Sequence, residues 1–386
     1  MSEARKRILN MLAQGKISVE ESEELLLAME TDEKAKNQAE SGKKNVDTES
    51  TSGNSFRFPF GRAFGADLEN LAEEVQKQVG KAVRGIQPQS QELKMKLKDL
   101  GGWLGSTVGK MVCEMQFSGS DLPDAIEVEC MIPEPQGFAG CKFAEISNLQ
   151  GSINIREAET FGLKIRGRIS RAALGDQSAS SWFSANAISI RGEKLFLGFE
   201  RTSAIKAILD IDMFLPARID LQIRTLAAPV TVYGPFRIAS AESVSGDLKF
   251  THALFENSSL ETVSADVIIE GGALEMSVKM TSGDLKISGA RVEKLTVQTV
   301  SGDVVLSDLA LSDSTSLDVS TTSGDVSLRR PNGAIAHLEA RSRTGQVQIR
   351  LPGTRQPLDK YGIIVEAGET GARIKTESIS GDLLFD

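Results

Sequence analysis

Two hydrophobic periods divide the chain. Up to about residue 111 apolar residues recur at spacings of three and four, the signature of helical faces; beyond it they alternate with polar residues, as in half-buried strands. Within residues 3 to 30, Ile8, Leu9 and Leu12 share one helical face, and Gly15 ends that helix. Ser18 and Glu21 form an S-x-x-E capping box for a second helix, whose face continues through Leu25, Leu26 and Met29. Residues 1–30 are thus a helical hairpin too small to stand alone, and its apolar faces need each other, another copy or a partner.

Residues 31–55 are polar and rich in Lys, Glu, Ser, Thr, Asn and Gly, the composition of a flexible linker. In residues 56–111 the pattern is helical again after an aromatic opening. Phe56, Phe58, Phe60 and Phe64 alternate with Arg57, Pro59 and Arg62, which suits neither a regular helix nor a central strand. Either the rings dock on a protein surface, which the acidic chain favours, or they sit at a membrane interface with the arginines on phosphates. Leu68, Leu71, Val75, Val79 and Val83 stripe one helix; Leu93, Leu97, Leu100, Leu104, Val108 and Met111 stripe a second, with a break at Pro88. Packing as a hairpin and self-association through the seam both fit. Gly101, Gly102, Gly105 and Gly109 weaken the second helix, and with Trp103 they also fit an interfacial segment.

From residue 112 strand alternation takes over. Ile126, Val128 and Cys130 alternate with Glu127 and Glu129; Leu163, Ile165 and Gly167 alternate with Lys164, Arg166 and Arg168. Residues 112–238 read as an irregular β section and residues 239–386 as a regular repeat. Its unit is a hydroxyl residue, a glycine and an aspartate, then two apolar residues one apart. Intact copies are Ser245-Gly246-Asp247, Ser282-Gly283-Asp284, Ser301-Gly302-Asp303, Ser323-Gly324-Asp325 and Ser380-Gly381-Asp382; worn ones are Ser264-Ala265-Asp266 and Thr344-Gly345-Gln346. Counting Ala265 and Gly345, successive glycine positions lie 19, 18, 19, 22 and 21 residues apart, and a last gap of 36 holds an insertion around Pro352 to Lys360.

Each copy is strand, tight corner, strand. Leu248 and Phe250, Val267 and Ile269, Leu285 and Ile287, Val304 and Leu306, and their later counterparts point inward, with mostly polar residues between. Upstream, Leu295 and Val297, Leu317 and Val319, and Leu338 and Ala340 do the same. Two residues before the hydroxyl stands another column: Ser243, Thr262, Met280, Thr299, Thr321, Ser342 and Ser378. The glycine is expected to supply a backbone angle other residues resist, and the Ser and Asp side chains to bond nearby backbone. Stacked in sequence order at about 4.8 Å per coil, such units make a right-handed parallel β-solenoid, or β-helix, of roughly seven regular coils. The Ser380 copy is then the end coil, with an open edge after Phe385.

These Ser/Thr-Gly-Asp corners resemble the DUF4097 family of bacterial β-strand repeat proteins, often labelled adhesins. Ile8-Leu9-x-x-Leu12-x-x-Gly15-Lys16-Ile17-Ser18-x-x-Glu21 is similar to the SHOCT-like helical hairpin that often precedes that repeat. The resemblance implies a β-solenoid, no established catalytic activity and, in some members, a link to cell-envelope stress. The adhesin label implies extracellular display; here Arg5, Lys6 and Arg7 are followed by amphipathic sequence rather than the apolar run of a secretory signal. With no apolar stretch of bilayer-spanning length, the expected location is cytoplasmic, with peripheral membrane contact left open.

Composition changes this picture little. A net charge of −9 speaks against nucleic acid as a partner. Abundant Gly, at 35, and scarce aromatics, at 5%, suit a turn-rich β protein. Cys113, Cys130 and Cys141 form no C-x-x-C pair and read as small buried hydrophobes. The aspartate column is the obvious site candidate, and Asp284, Asp303 and Asp325 are the residues a calcium ion would use. The nonapeptide calcium consensus is unmet, however, and corner capping explains the same column, so no metal or cofactor is assigned. His252, after the strand ending at Phe250, and His337, expected in a loop after Pro331-Asn332-Gly333, read as structural or surface residues, and no phosphate-binding loop or nucleophile elbow is present. Lys164, Arg166 and Arg168 offer an anionic partner a basic strand, or are simply solvated. Ile268, Val305 and Leu384 break the polar outer column and mark either a covered stretch or a partner patch.

The expectation is a non-enzymatic scaffold that presents a protein or cell-envelope ligand with a flat solenoid face and self-associates through its N-terminal helices. Two alternatives remain: a structural protein polymerising through solenoid ends, and a surface adhesin.

Overall fold

The computed structural model describes residues 124–198, 207–359 and 361–386. The predicted helical hairpin, the linker and the segment 56–111, with Phe56, Phe58, Phe60, Phe64 and Trp103, lie outside the described residues.

The leading strands are β1 (Ala125–Ile132), β2 (Phe143–Asn148), β3 (Gly151–Glu157) and β4 (Gly162–Ser170). Two short helices follow, α1 (Arg171–Leu174) and α2 (Ala179–Asn186), then β5 (Ile188–Arg191), β6 (Lys194–Leu197), β7 (Ala207–Leu215), β8 (Asp220–Thr225) and β9 (Val230–Tyr233). The repeat then alternates long and short strands. They are β10 (Arg237–Ser243) and β11 (Leu248–Thr251), β12 (Leu254–Ser264) and β13 (Val267–Glu270), and β14 (Ala273–Ser282) and β15 (Leu285–Ser288). Next come β16 (Arg291–Ser301) and β17 (Val304–Ser307), then β18 (Ala310–Ser323) and β19 (Val326–Arg329). Last are β20 (Ile335–Ser342), β21 (Val347–Ile349), β22 (Thr354–Asp359), β23 (Gly362–Glu366), β24 (Ala372–Ser380) and β25 (Leu383–Phe385).

The short strands stack in one sheet, ordered β1-β4-β7-β3-β9-β11-β13-β15-β17-β19-β25-β21, and the long ones in a second, ordered β22-β23-β20-β24-β18-β16-β14-β12-β10-β8-β2-β6-β5. From β9 to β21 and from β8 to β20 the pairing is parallel throughout, so the chain is mainly β with a parallel β-solenoid at its heart. One register runs Leu248↔Val267↔Leu285↔Val304↔Val326↔Leu383↔Val347, like beside like. Facing it across the core, Leu260, Val278, Val297 and Val319 of the long strands are fully buried, as the period-two pattern predicts.

The stacking order departs from the sequence order. The coil made by β24 and β25 does not end the stack; it is interleaved between β18–β19 and β20–β21. The expected open edge after Phe385 is therefore corrected. The insertion near Pro352 to Lys360 becomes the antiparallel pair β22–β23, which extends the long-strand sheet beyond β20. Its outermost strand carries Pro357, which offers no backbone donor to a further strand. The short-strand sheet ends in three-residue β21. At the opposite end β4 lies antiparallel between β1 and β7. There α2, capped where Ser178 accepts the Ser181 N–H at 3.2 Å, packs against β1 and β5, the edge strands of the two sheets. Buried Trp182 and Phe183 plug that end of the core.

Candidate functional site

At the Ser-Gly-Asp corners the aspartates bond across coils rather than within their own corner. Asp247 Oδ1 accepts the Asp266 N–H at 3.0 Å, Asp266 that of Asp284 at 2.8 Å, Asp284 that of Asp303 at 2.9 Å, and Asp303 that of Asp325 at 2.9 Å. The series continues through the interleaved coil: Asp325 Oδ1 accepts the Asp382 N–H at 2.8 Å, and Asp382 Oδ1 accepts the Gln346 N–H at 2.8 Å. Gln346, the residue that breaks the column, is its terminal rung. It donates its amide, and among the described residues no coil lies beyond it in the corner sheet to need a carboxylate. Main-chain bonds interlock with this ladder, as where the Leu285 N–H donates to the Asp303 carbonyl at 2.9 Å.

The glycine column is explained by close approach more than by dihedral angle. A Cβ on Gly302 would lie 2.0 Å from the Gly283 carbonyl oxygen, and one on Gly381 would lie 2.0 Å from that of Gly324. Gly381 has no positive φ, so crowding alone fixes its identity. Beneath it a hydroxyl caps the turn in two of these coils: Ser243 Oγ accepts the Gly246 N–H at 3.0 Å and donates to the Gly246 carbonyl, and Ser342 accepts the Gly345 N–H at 3.0 Å.

A second corner, between each short strand and the next long one, escaped the sequence reading. Its pivot has left-handed backbone at Gly234, His252, Gly271, Gly289, Asp308 and Arg330. Each pivot from His252 to Arg330 lies six residues after the corner glycine position, and that constant offset was the available signal. His252 is thus a turn residue, held by its N–H on the Glu270 carbonyl at 2.8 Å. Arg330 is an unfavoured residue at such a position, and its guanidinium bonds the adjacent pivot Asp308 at 2.8 Å.

Of the other candidates, the basic strand is largely neutralised. Arg166 pairs with Asp212 of β7 at 2.9 Å and Lys164 with Glu129 of β1 at 2.5 Å. The Lys164 ammonium, through its hydrogen bond and charge, holds the Glu129 carboxyl below the usual range. His337 lies in strand β20, not in a loop, with Nδ1 2.8 Å from Glu366 of the capping pair β23. Burial pushes both the Cys130 and Cys141 thiols up, away from reactivity. Among the described residues no group of three or more His, Cys, Asp or Glu side chains is placed to hold a metal ion.

The remaining features are surfaces. On the outer face of the long-strand sheet, Arg224 lies 3.6 Å from Glu145 and 3.5 Å from Glu242. Burial pushes the Glu242 carboxyl up against the pull of Arg224, and neighbouring Glu261 and Glu145 add to the rise. The outer face of the short-strand sheet carries the register Thr231, Lys249, Ile268, Lys286, Val305, Ser327, Leu384 and Gln348. Val305, Ser327 and Leu384 are consecutive there only because the interleaved coil supplies Leu384. A cavity of about 470 Å³ near the capping end is lined by Arg330, Ile335, Leu338, Leu351, Val365 and Asp386, among others.

Residues 235–331 match the family model described as Toastrack DUF4097. The matched quarter of the chain covers the coils from β10 to β19, those stacked in sequence order; residues 1–30 are not part of it. No curated protein matches the chain. A crystal structure of a candidate cell adhesion protein from Clostridium sporogenes ATCC 15579 is similar over 68% of this chain and 98% of that one, at 9% identity and a TM-score of 0.23. A likeness at that level carries nothing about function.

Proposed function

We propose that this chain is a non-enzymatic β-solenoid scaffold that docks a protein or cell-envelope ligand on the outer face of its short-strand sheet. The carrying observation is the fate of the aspartate column. Each carboxylate from Asp247 to Asp382 has one oxygen committed to the next coil's backbone, so the repeated acid groups hold the stack together. The Toastrack match supports a repeat built for architecture. The proposed docking face is flat because its strands stack in parallel register, with Ile268 between Lys249 and Lys286, and Val305 and Leu384 beyond Lys286. Self-association through the N-terminal helices, and peripheral membrane contact through the Phe56–Phe64 segment, belong to the same proposal. End-to-end polymerisation loses its premise, because the Ser380 coil is internal and the edge beyond β23 carries Pro357.

Two measurements test this reading. Incubation with a panel of glycosides and esters should give no turnover; hydrolysis abolished by Asp303→Asn with Asp325→Asn would overturn the non-enzymatic assignment. A photocrosslinking residue at Lys286, in cells of the source organism, should give a discrete adduct that Val305→Glu removes, whereas the same group at Ser277 on the other sheet should not. Equal adducts from both positions would sink the face assignment.

A further inference from the structure

The β24–β25 coil follows every other coil in sequence yet lies inside the stack. Its neighbours, β18–β19 and β20–β21, are joined directly through Arg330–Ala334, so the chain passes over the slot before filling it. The slot is two coil spacings wide, about 9.6 Å from β19 to β21.

Three observations bear on how firmly the insert is held. The flanking coils match each other without it: Val326 would meet Val347, Leu328 would meet Ile349, and Leu317 and Val319 would meet Leu338 and Ala340. Asp325 Oδ1, which takes the Asp382 N–H, would take the Gln346 N–H by the same geometry. Next, unsatisfied groups gather at this interface. Thr321 Oγ1, Thr322 Oγ1 and Ser327 Oγ in the β18–β19 coil, with Ser378 Oγ and Asp386 Oδ1 in the insert, are buried without a hydrogen-bond partner; among the described residues these are five of nine such atoms. The insert also places Thr376, fully buried, where its neighbours carry Val319 and Ala340. Finally, the insert is tethered by Ala367–Gly371, whose residues 367 to 370 are exposed.

We propose that the Ala372–Asp386 coil is an exchangeable insert, and that the partner its slot fits is the same segment of a second copy of this chain. Opening the exposed tether lets one molecule's insert seat between the β18–β19 and β20–β21 coils of another, making every ladder bond it makes at home. The flanking coils close on each other while the slot is empty. Such strand exchange is a low-cost route to a dimer because it adds no new interface chemistry.

The test uses full-length chain with Cys113, Cys130 and Cys141 replaced by alanine. Ser327→Cys and Leu384→Cys are made as separate proteins, mixed and oxidised; these positions are register partners on an outer face, within disulfide reach. A second mixture pairs Leu384→Cys with Gln348→Cys, partners on the insert's other side. A control mixture pairs Lys249→Cys with Ile268→Cys, partners in coils stacked in sequence order. The expected result is a disulfide-linked heterodimer that grows with incubation in the first two mixtures, several-fold above the control. The single chain carrying both Ser327→Cys and Leu384→Cys should bridge internally, which shows that the variants fold and the thiols react. Internal bridging with no heterodimer from either test mixture would overturn the proposal, as would equal heterodimer yield in the control.

Discussion

Replacing Asp303 by alanine tests whether the ladder holds the coils. The substitution removes the acceptor of the Asp325 N–H at 2.9 Å, a charge-assisted bond worth about 1.5 kcal/mol. It also removes like-charge repulsion from the rungs on either side. Carboxylates about 5 Å apart in water repel by about 0.8 kcal/mol each, so two neighbours return nearly the whole loss at low ionic strength. At about 1 M salt the Debye length falls to about 3 Å and that relief vanishes. Asp303→Ala should therefore be almost neutral at low salt and cost about 1.5 kcal/mol at high salt. Asp382 has only one charged neighbour, Asp325, because Gln346 lies on its other side. Asp382→Ala should cost about 0.7 kcal/mol even at low salt, and Gln346→Ala almost nothing at any salt. The assay is native-state hydrogen exchange of the Asp325 and Gln346 amides, where about 1.4 kcal/mol reads as tenfold in protection. It follows the opening of single coils, which global melting of a repeat array blurs. If Asp382→Ala leaves the Gln346 amide as protected as before, the interleaved order is wrong. If Asp303→Ala is equally neutral at high salt, the carboxylates do not hold the coils.

Crowding and backbone angle separate at two glycines. Gly381→Ala drives a methyl into the Gly324 carbonyl with no left-handed angle to strain and should cost about 3 kcal/mol or more, whereas Gly289→Ala meets nothing within 4 Å and should cost only the left-handed penalty, about 1–2 kcal/mol, both read by thermal melting. Thr321→Val removes a buried hydroxyl with no partner and should stabilise the stack by about 1 kcal/mol in urea titration. Glu242 has a folded pKa raised mainly by burial, so its contribution to stability is fully present below the ordinary carboxylate range and is lost as pH rises through the folded value. Glu242→Gln should accordingly melt higher than the parent near neutral pH, with the difference closing as the pH falls toward 4; a gap that widens in acid would refute the burial assignment.

The coil interior was legible because it depends on one local rule. Period-two alternation through Leu285 and Ile287 or Leu295 and Val297 fixes which residues face inward whatever the neighbouring coil is, and the buried columns follow. The role of the glycine was legible only in part for a related reason: Gly283, Gly302 and Gly324 do take the expected positive φ, but the close approach was not foreseen. A dihedral preference can be inferred from a single residue, but a carbonyl 2.0 Å from where Gly381 would carry its Cβ belongs to Gly324, fifty-seven residues earlier. The left-handed pivots at His252, Asp308 and Arg330 were missed because their residue types share no chemistry and only their offset repeats. The capping helix around Trp182 and Phe183 left a weaker trace, a single N-cap serine before two aromatics.

Stack order was not legible because the rule that makes a coil also makes coils interchangeable. Val326, Val347 and Leu383 present nearly the same apolar edge, and Asp325 offers the same acceptor to Asp382 as it would to Gln346. Local pattern therefore cannot decide which copy lies beside which. The distinguishing residues are those that break the repeat. Gln346 lacks the carboxylate every inner rung needs, which marks its coil as terminal in the ladder. Pro357 cannot pair on both sides, which marks β22 as an edge. Between them these two residues place the Thr344 coil and its hairpin at the end of the stack. The Ser380 copy, with its aspartate intact, then has to lie inside. In a repeat whose copies are otherwise equivalent, worn positions carry the topological information, and the slot that receives the last copy is the part of the fold least specified by sequence.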